Sequence, residues 1–451
     1  MAAAVATQPA PDREGWIDLR EAYRHHIEWY LKGKEAAPEL PPVPTQQDTL
    51  EHSGPQGHVK PLTIIDDPAD WTSTSLKGKE DEFTYVITED DKGEILQAVE
   101  KLKASGVSTE DDVIGLKAED YDLPNLAPRL KELGRQVSTG RGFHLLRGFP
   151  VEAYKEDRLG LVLAFWGLGL VLGRPQVSQT DYTEDGETFG SLFNHVTDGR
   201  FTPVKRYAPA LKSPEAGKDA RRFRVDLVRL PFHSDQGATD LISLLSLAPA
   251  RRGGESQVAS GIAIHNELLR RGRKDLVEAL SDPKAWNTPK KRDQAAFARN
   301  EKGEFVGFEA TPPFEYHDGY LTVHFATNNY QEIELAPLQE EALWTFAKLA
   351  EDPAIHYSKL LQPGDIELLH NPTVLHARAE VEDGDTRDTK RHLVRWWVQQ
   401  PPEQSPRPTA PSFAPRSLVP PEGGFKVPEG SKLRLPFFPY GRHDGLGQSL
   451  Y

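Results

Sequence analysis

The sequence predicts an α+β fold with a mostly β core, and three observations carry that prediction. Helix-like periodicity is concentrated between residues 90 and 138. Short β-prone runs recur further on, at 143–146, 225–232, 241–247, 374–378 and 391–398. The side chains with metal-ligating or anion-binding chemistry lie on those runs or at their ends, which makes the β segments the frame of the site.

Residues 1–60 read as an irregular leader. Met1–Pro11 is rich in Ala and Pro, a short helix is expected over Ile17–Lys34, and Pro38–Pro44 is proline-rich. From 61 to 125 the chain is strongly charged, with an amphipathic helix predicted over Asp90–Lys103. A further helix over Leu126–Ser138 ends at Gly140, and the strand Phe143–Leu146 opens the core. Gly160–Gly173 is the most apolar stretch; it is too short to cross a ~30 Å hydrocarbon layer and reads as a buried helix. After Gln400 the composition changes: Pro401–Gly430 is rich in Pro and Ser, and Leu435–Tyr440 is an apolar cluster. That cluster is expected to dock on the core or on a neighbouring protomer, the second being a route to a homo-oligomer. Three regions follow: an N-terminal helical elaboration (1–125), the core domain (126–400) and a Pro-rich tail (401–451).

The chain has 451 residues, and length alone would allow about three domains. The site residues between 233 and 395 must nevertheless belong to one folding unit. Cysteine is absent and the single methionine is Met1, so no disulfide or reactive thiol contributes. A net charge of −14 without a basic stripe argues against nucleic acid and anionic membranes and for small-molecule chemistry. No secretory signal is evident in the first residues, so a cytoplasmic location is expected.

His233, Ser234 and Asp235 hold the first part of the site. In an extended segment, residues two apart point to the same side, so His233 and Asp235 can reach one ion together. Gly237 permits a turn after them, and Leu241–Leu247 reads as a buried strand. A third ligand is available from His370 or His376; His376 is preferred, because it lies in a β-prone run after the Asn371-Pro372 turn signal. Two imidazoles and a carboxylate on one face of a metal, with the other positions open, are the ligand set of non-heme Fe(II) oxygenases. An His-x-Asp triplet among 15 histidines is weak evidence by itself. The predicted strand Arg391–Val398 strengthens it, since Arg391, Leu393, Arg395 and Trp397 share one face and send two guanidinium groups the same way.

In order and spacing, Gly140–Pro150, Phe232–Gln236, Gly253–Ser256, Gln362–Ile366, Leu375–Arg378 and Arg391–Trp397 make the chain resemble the TauD/TfdA (taurine dioxygenase-like) family of Fe(II)- and 2-oxoglutarate-dependent oxygenases, over roughly residues 130–400. The resemblance implies a distorted double-stranded β-helix, a cupin-like jelly roll flanked by helices. It implies Fe(2+) held by His233, Asp235 and His376, with 2-oxoglutarate and O2 as cosubstrates and succinate and CO2 as products. It places Arg391 on the distal carboxylate of 2-oxoglutarate, an assignment that suits a planar, permanently charged guanidinium. Ser256 falls where the family usually has a threonine for the same carboxylate, and is otherwise a turn serine.

Arg395 lies about 13 Å along the strand from Arg391 at ~3.3 Å per residue, too far for both to grip one small carboxylate. In some relatives that position meets an anionic group of the substrate, so an anionic substrate is expected; the alternative is an ion pair inside the protein. Asn266 matches a family asparagine and would otherwise cap a helix. His195 and the Asn328-Asn329-Tyr330 run are further polar candidates for substrate contact, with structural roles as the alternative. Asp235 argues against halogenation, because halogenating relatives lack the acidic ligand. Hydroxylation is expected, with desaturation or cyclisation as variants. Two other readings are a metal-binding jelly roll without turnover and a zinc-dependent hydrolase; the latter leaves Arg391 without a role.

Overall fold

The computed structural model describes residues 19–44, 50–182, 188–197, 229–235, 239–286, 312–327, 330, 335–384, 389–408, 410–411 and 431–436. In chain order, the strands of its two main sheets are Thr84–Val86 (β1), Phe143–Arg147 (β2), Arg174–Gln176 (β3), Asn194–Val196 (β4), Leu230–His233 (β5), Leu241–Ala248 (β6), Ser256–Ser260 (β7), Tyr357–Lys359 (β8), Ile366–His370 (β9), Val374–Arg378 (β10) and His392–Gln399 (β11). The larger sheet runs β1-β2-β9-β6-β11-β3, with β4 also on β11. Its pairs are antiparallel except β1 with β2. The smaller sheet is antiparallel in the order β8-β7-β10-β5.

The two sheets face each other. Phe143, Leu145, Ile242, Leu244, Leu369, Leu393 and Trp397 of the larger sheet share one apolar cluster with Val258 and Val374 of the smaller. Strand alternation decides which side chains enter that space. On β11, Leu393 and Trp397 turn inward, while Val394, Trp396 and Val398 turn out toward a helix layer. β6 is apolar along almost its whole length because it is covered on both faces, and its Leu and Ile side chains divide between the two clusters.

The helices close the outer faces. They are Leu19–Ala36 (α1), Glu89–Ala104 (α2), Leu126–Thr139 (α3), Arg158–Leu172 (α4), Gly261–Arg270 (α5), Lys274–Ser281 (α6) and Pro337–Ala350 (α7). Buried residues of α2, α3 and α4 pack on the larger sheet. Those of α5, α6 and α7 cluster with Phe232, Ala259, Leu375 and Ala377 on the outer side of the smaller one. Burial of each large apolar side chain contributes about 1.5–3 kcal/mol, so this layering accounts for much of the driving force. α4 is the apolar run predicted as a buried helix; Asp157 caps it by accepting from the N–H of Gly160. Among the described residues, no helix is long and apolar enough to cross a membrane.

One feature differs from the sequence expectation. β1 comes from the segment placed outside the core, yet extends the larger sheet in parallel with β2. Its three residues are too few to show a period-two pattern, and none of them is buried. The tail, by contrast, is tied to its own chain, the first of the two dockings expected of it. Lys432–Arg434 pairs in parallel with Thr188–Ser191, Arg434 meets Glu110 at 2.7 Å, and Leu435 is buried in the helix-side cluster. Met1–Pro11, Ile17, residues 225–228, Gly237, Asn328-Asn329 and Phe437–Tyr440 lie outside the described residues.

Candidate metal centre

β5 and β10 are neighbours in the smaller sheet, and their register sets His233 directly opposite His376. The ring centroids are 4.2 Å apart. β5 ends at His233, and Asp235 lies just beyond it, where extended chain still carries its carboxylate to the same side. Its Oδ1 is 3.7 Å from His233 Nε2 and 3.8 Å from His376 Nε2. One ligand atom from each of the three residues falls within 4.8 Å of the others. Asp235 and His376 are buried, while the His233 side chain retains 19% exposure, so the group is approached from the His233 side.

The chain around Asp235 is held from two directions. Asn371 donates its side-chain N–H to Asp235 O at 3.0 Å and accepts from Asp235 N at 2.8 Å. On the other side, Ser234 N donates to Phe325 O at 2.7 Å, and Ser234 Oγ accepts from Phe325 N at 3.1 Å. The carboxylate is divided between two tasks. Oδ2 accepts from Arg395 Nη1 at 2.7 Å and from Trp397 Nε1 at 2.9 Å, which leaves Oδ1 turned to the imidazoles. Such outer partners set the orientation and charge of a metal ligand.

Electrostatics favour the ligating protonation states. Burial would push the Asp235 carboxyl up, but Arg395, His376, His233 and Trp397 outweigh it and hold it at about 2. Burial lowers His376 to about 3, with His233 adding to the effect, and burial likewise lowers His233. All three are therefore in the form that donates lone pairs at neutral pH. His233 Nδ1 is committed to Pro231 O at 2.9 Å, which leaves Nε2 as its free donor. The residues fit a divalent transition metal: a buried carboxylate oxygen and two neutral imidazole nitrogens converge.

A buried cation lies just before β11. Arg391 is buried; its Nε donates to Gly254 O at 2.9 Å, and its Nη2 lies 3.5 Å from Ser256 Oγ. Gly254 has φ +78, and a Cβ there would come within 2.9 Å of Arg391 Cδ, so glycine makes room for this side chain.

Other sequence candidates lie elsewhere. Arg395 is in the ion pair with Asp235, the second of its two expected roles. Asn266 is fully buried, and its amide exchanges two hydrogen bonds of 2.9 Å with the backbone of Ile65; Ser260, not Asn266, caps α5. Both expected roles of Asn266 are thereby corrected. His195 pairs with Val394, whose side chain turns to the helix layer, away from the space between the sheets. Its ring is bonded to His392 Nε2 at 2.9 Å and Pro436 O at 2.8 Å, which corrects its placement in the substrate pocket. Tyr330 is buried and donates to His324 O at 3.2 Å. His370 bonds Thr373 Oγ1 at 2.7 Å and is not in the ligand group. Asn371 and Trp397 were missed as supports of Asp235; the Asn-Pro turn and the inward face of β11 were their only traces in the sequence.

A family model described as taurine catabolism dioxygenase TauD, TfdA family matches residues 101–397. Taurine hydroxylase-like protein SAT17 of Stachybotrys chartarum is 29% identical over 374 residues, covering 80% of this chain and 84% of that protein. FR-33289 synthase of Streptomyces rubellomurinus is 28% identical over 333 residues, covering 70% and 85%. Among solved structures, asparagine oxygenase (AsnO) aligns over 77% of this chain and 99% of its own, with 17% identity and a TM-score of 0.45. The non-heme iron oxygenase OrfP, in complex with Fe and α-ketoglutaric acid, aligns over 72% and 96% with 13% identity and a TM-score of 0.45. With a family match over more than half of its length that takes in the His-Asp-His group and the strand after Arg391, the chain belongs to the TauD, TfdA family and is a 2-oxoglutarate-dependent non-heme iron oxygenase.

Proposed function

We propose that the enzyme hydroxylates a small, anionic organic substrate, with desaturation or cyclisation as the other outcomes open to the same site. The observation that carries the reading is the divided carboxylate of Asp235, with Oδ2 bound by Arg395 and Trp397 and Oδ1 free beside two neutral imidazoles. His233, Asp235 and His376 hold Fe(2+) in this reading, and Arg391 with Ser256 receives the distal carboxylate of 2-oxoglutarate. The two facing sheets are read as a distorted double-stranded β-helix around that site.

When bound, the iron supplies, with 2-oxoglutarate and O2, the oxidising power to cleave a C–H bond while succinate and CO2 are released. The chain's own part is placement. Arg391 offers a charged, planar donor that orients a dicarboxylate, and the apolar walls between the sheets limit water. Asp235 keeps a third protein ligand in place and so supports hydroxylation over halogenation. The anionic character rests on the taurine in the fungal relative's name. It does not rest on Arg395, whose charge is met by Asp235.

Anaerobic protein given Fe(II) and 2-oxoglutarate is expected to develop the visible charge-transfer band of the complex. Admission of O2 should then release succinate, and sulfonates or carboxylates should stimulate that release more than neutral analogues. A band that survives replacement of His233, Asp235 or His376 by Ala would overturn the ligand assignment. Stimulation by neutral compounds alone would overturn the anionic substrate.

A further inference from the structure

Glu367 is an acid in an apolar place. It lies on β9 between Leu145 of β2 and Leu244 of β6, both members of the cluster shared by the two sheets, so its side chain enters the space between them. It is 2% exposed, and its Oε2 has no hydrogen-bond partner among the described residues. The charge acting on it is that of Arg391, the guanidinium assigned above to the cosubstrate. Around it, β8 contributes Tyr357, which feels the Glu367 charge, and the Arg147–Asp365 pair at 3.4 Å joins the end of β2 to the residue before β9. β10 contributes Arg378 beyond Ser256, and β11 contributes Arg395, already paired with Asp235. The nearest β6 and β7 side chains, Leu244, Ser256 and Val258, do not titrate in this range.

We propose that Glu367 completes the cosubstrate pocket as a neutral acid, taking up one proton when the distal carboxylate of 2-oxoglutarate pairs with Arg391 and turning its O–H toward that carboxylate. The inference rests on the Arg391 assignment of the preceding section. Its physical basis is a count of charges in a dry space. Before binding, the Arg391 charge draws the Glu367 carboxyl toward ionisation, against its burial. Once a second carboxylate claims that guanidinium, two carboxylates share it, and like charges at close range drive one of them to hold a proton. An orphaned, buried carboxyl oxygen is the kind of group that gains from such a partner.

The sign of the pH dependence follows. Burial has already raised the Glu367 carboxyl to about 7, against the pull of Arg391. Anion binding raises it further, so above about 7 the free protein is ionised while the complex is protonated. Binding should then weaken as pH rises, by up to about tenfold per unit for one linked proton, and be level below that range.

The test uses full-length protein with saturating Fe(II) under anaerobic conditions. The dissociation constant of 2-oxoglutarate is read from the charge-transfer band between pH 6.5 and 8.5, and proton uptake from calorimetry at pH 8 in two buffers of different ionisation enthalpy. Wild type should lose affinity several-fold or more across the range and take up close to one proton. Glu367→Gln, a neutral isostere, should bind with a level profile, take up no proton and bind more tightly than wild type at pH 8.5. A level wild-type profile without proton uptake would overturn the role of Glu367 while leaving Arg391 standing. The same pH profile in Glu367→Gln as in wild type would also overturn it. Absence of 2-oxoglutarate binding at every pH would instead remove the Arg391 assignment and this proposal with it. The wild-type uptake measurement decides the matter even if the variant does not fold.

Discussion

Arg395 shows how far a single side chain can be read from its neighbours in sequence. Its place on the inward face of β11 follows from the two-residue period, and so does its company with Trp397. Its destination does not, because the carboxylate it meets belongs to a loop after β5, far away in the chain. The structure turns it from a substrate contact into the group that fixes which oxygen of Asp235 faces the imidazoles. Replacing Arg395 with Leu should weaken Fe(II) affinity by about 10–100-fold, the usual range for loss of a ligand's outer partner. An iron titration with unchanged affinity would show that Trp397 alone suffices. The ligands themselves were legible because their chemistry resides in residue type: few arrangements other than a metal site explain two histidines and an aspartate converging. Asn371 was not, since its amide works through backbone atoms of a distant residue.

The β7 entrance and β11 show how backbone geometry makes room for chemistry. Gly253 and Gly254 both have positive φ, which brings Gly254 O to Arg391 Nε and Ser256 beneath the guanidinium. Gly254→Ala would place a methyl group against Arg391 Cδ in a conformation that costs an L-residue about 1–2 kcal/mol. The expected result is a higher dissociation constant for 2-oxoglutarate with iron affinity little changed; loss of both together would point to a general collapse of the loop. The Gly-Gly pair was visible in the sequence as a turn, and the resemblance placed Ser256 near the cosubstrate. The three-residue strand β1 left no such trace, because its membership of the sheet depends on an edge that β2 offers and not on any pattern of its own. Helices α2 and α3 were legible almost to the residue, since apolar periodicity over four turns specifies a buried face whatever it packs against, whereas α6 and α7 were not read from the sequence.

The tail is where packing adds most to the local reading. Much of Pro401–Gly430 carries no apolar period and the apolar cluster after it was expected to dock; among the described residues, Arg407 and Leu435 are both anchored. Arg407 donates to Leu321 O and Thr322 Oγ1 at 3.0 Å and to Gln56 Oε1 at 2.8 Å, and stacks over Tyr320 at 4.8 Å. Leu435 is fully buried, which contributes about 1.5–3 kcal/mol. Removing residues 401–451 should lower the melting temperature by a few degrees. An unchanged melting curve would mean that these contacts add nothing to the fold.

The clamp of Asn371 on Asp235 has one more consequence. It ties the turn between β9 and β10, the hairpin that carries His376, to the segment that carries His233 and Asp235, through side-chain and main-chain atoms alone. A change at Asn371 therefore reaches all three donors at once: without the clamp, the hairpin and the segment can shift against each other, and the two imidazoles and the carboxylate lose their common point of convergence.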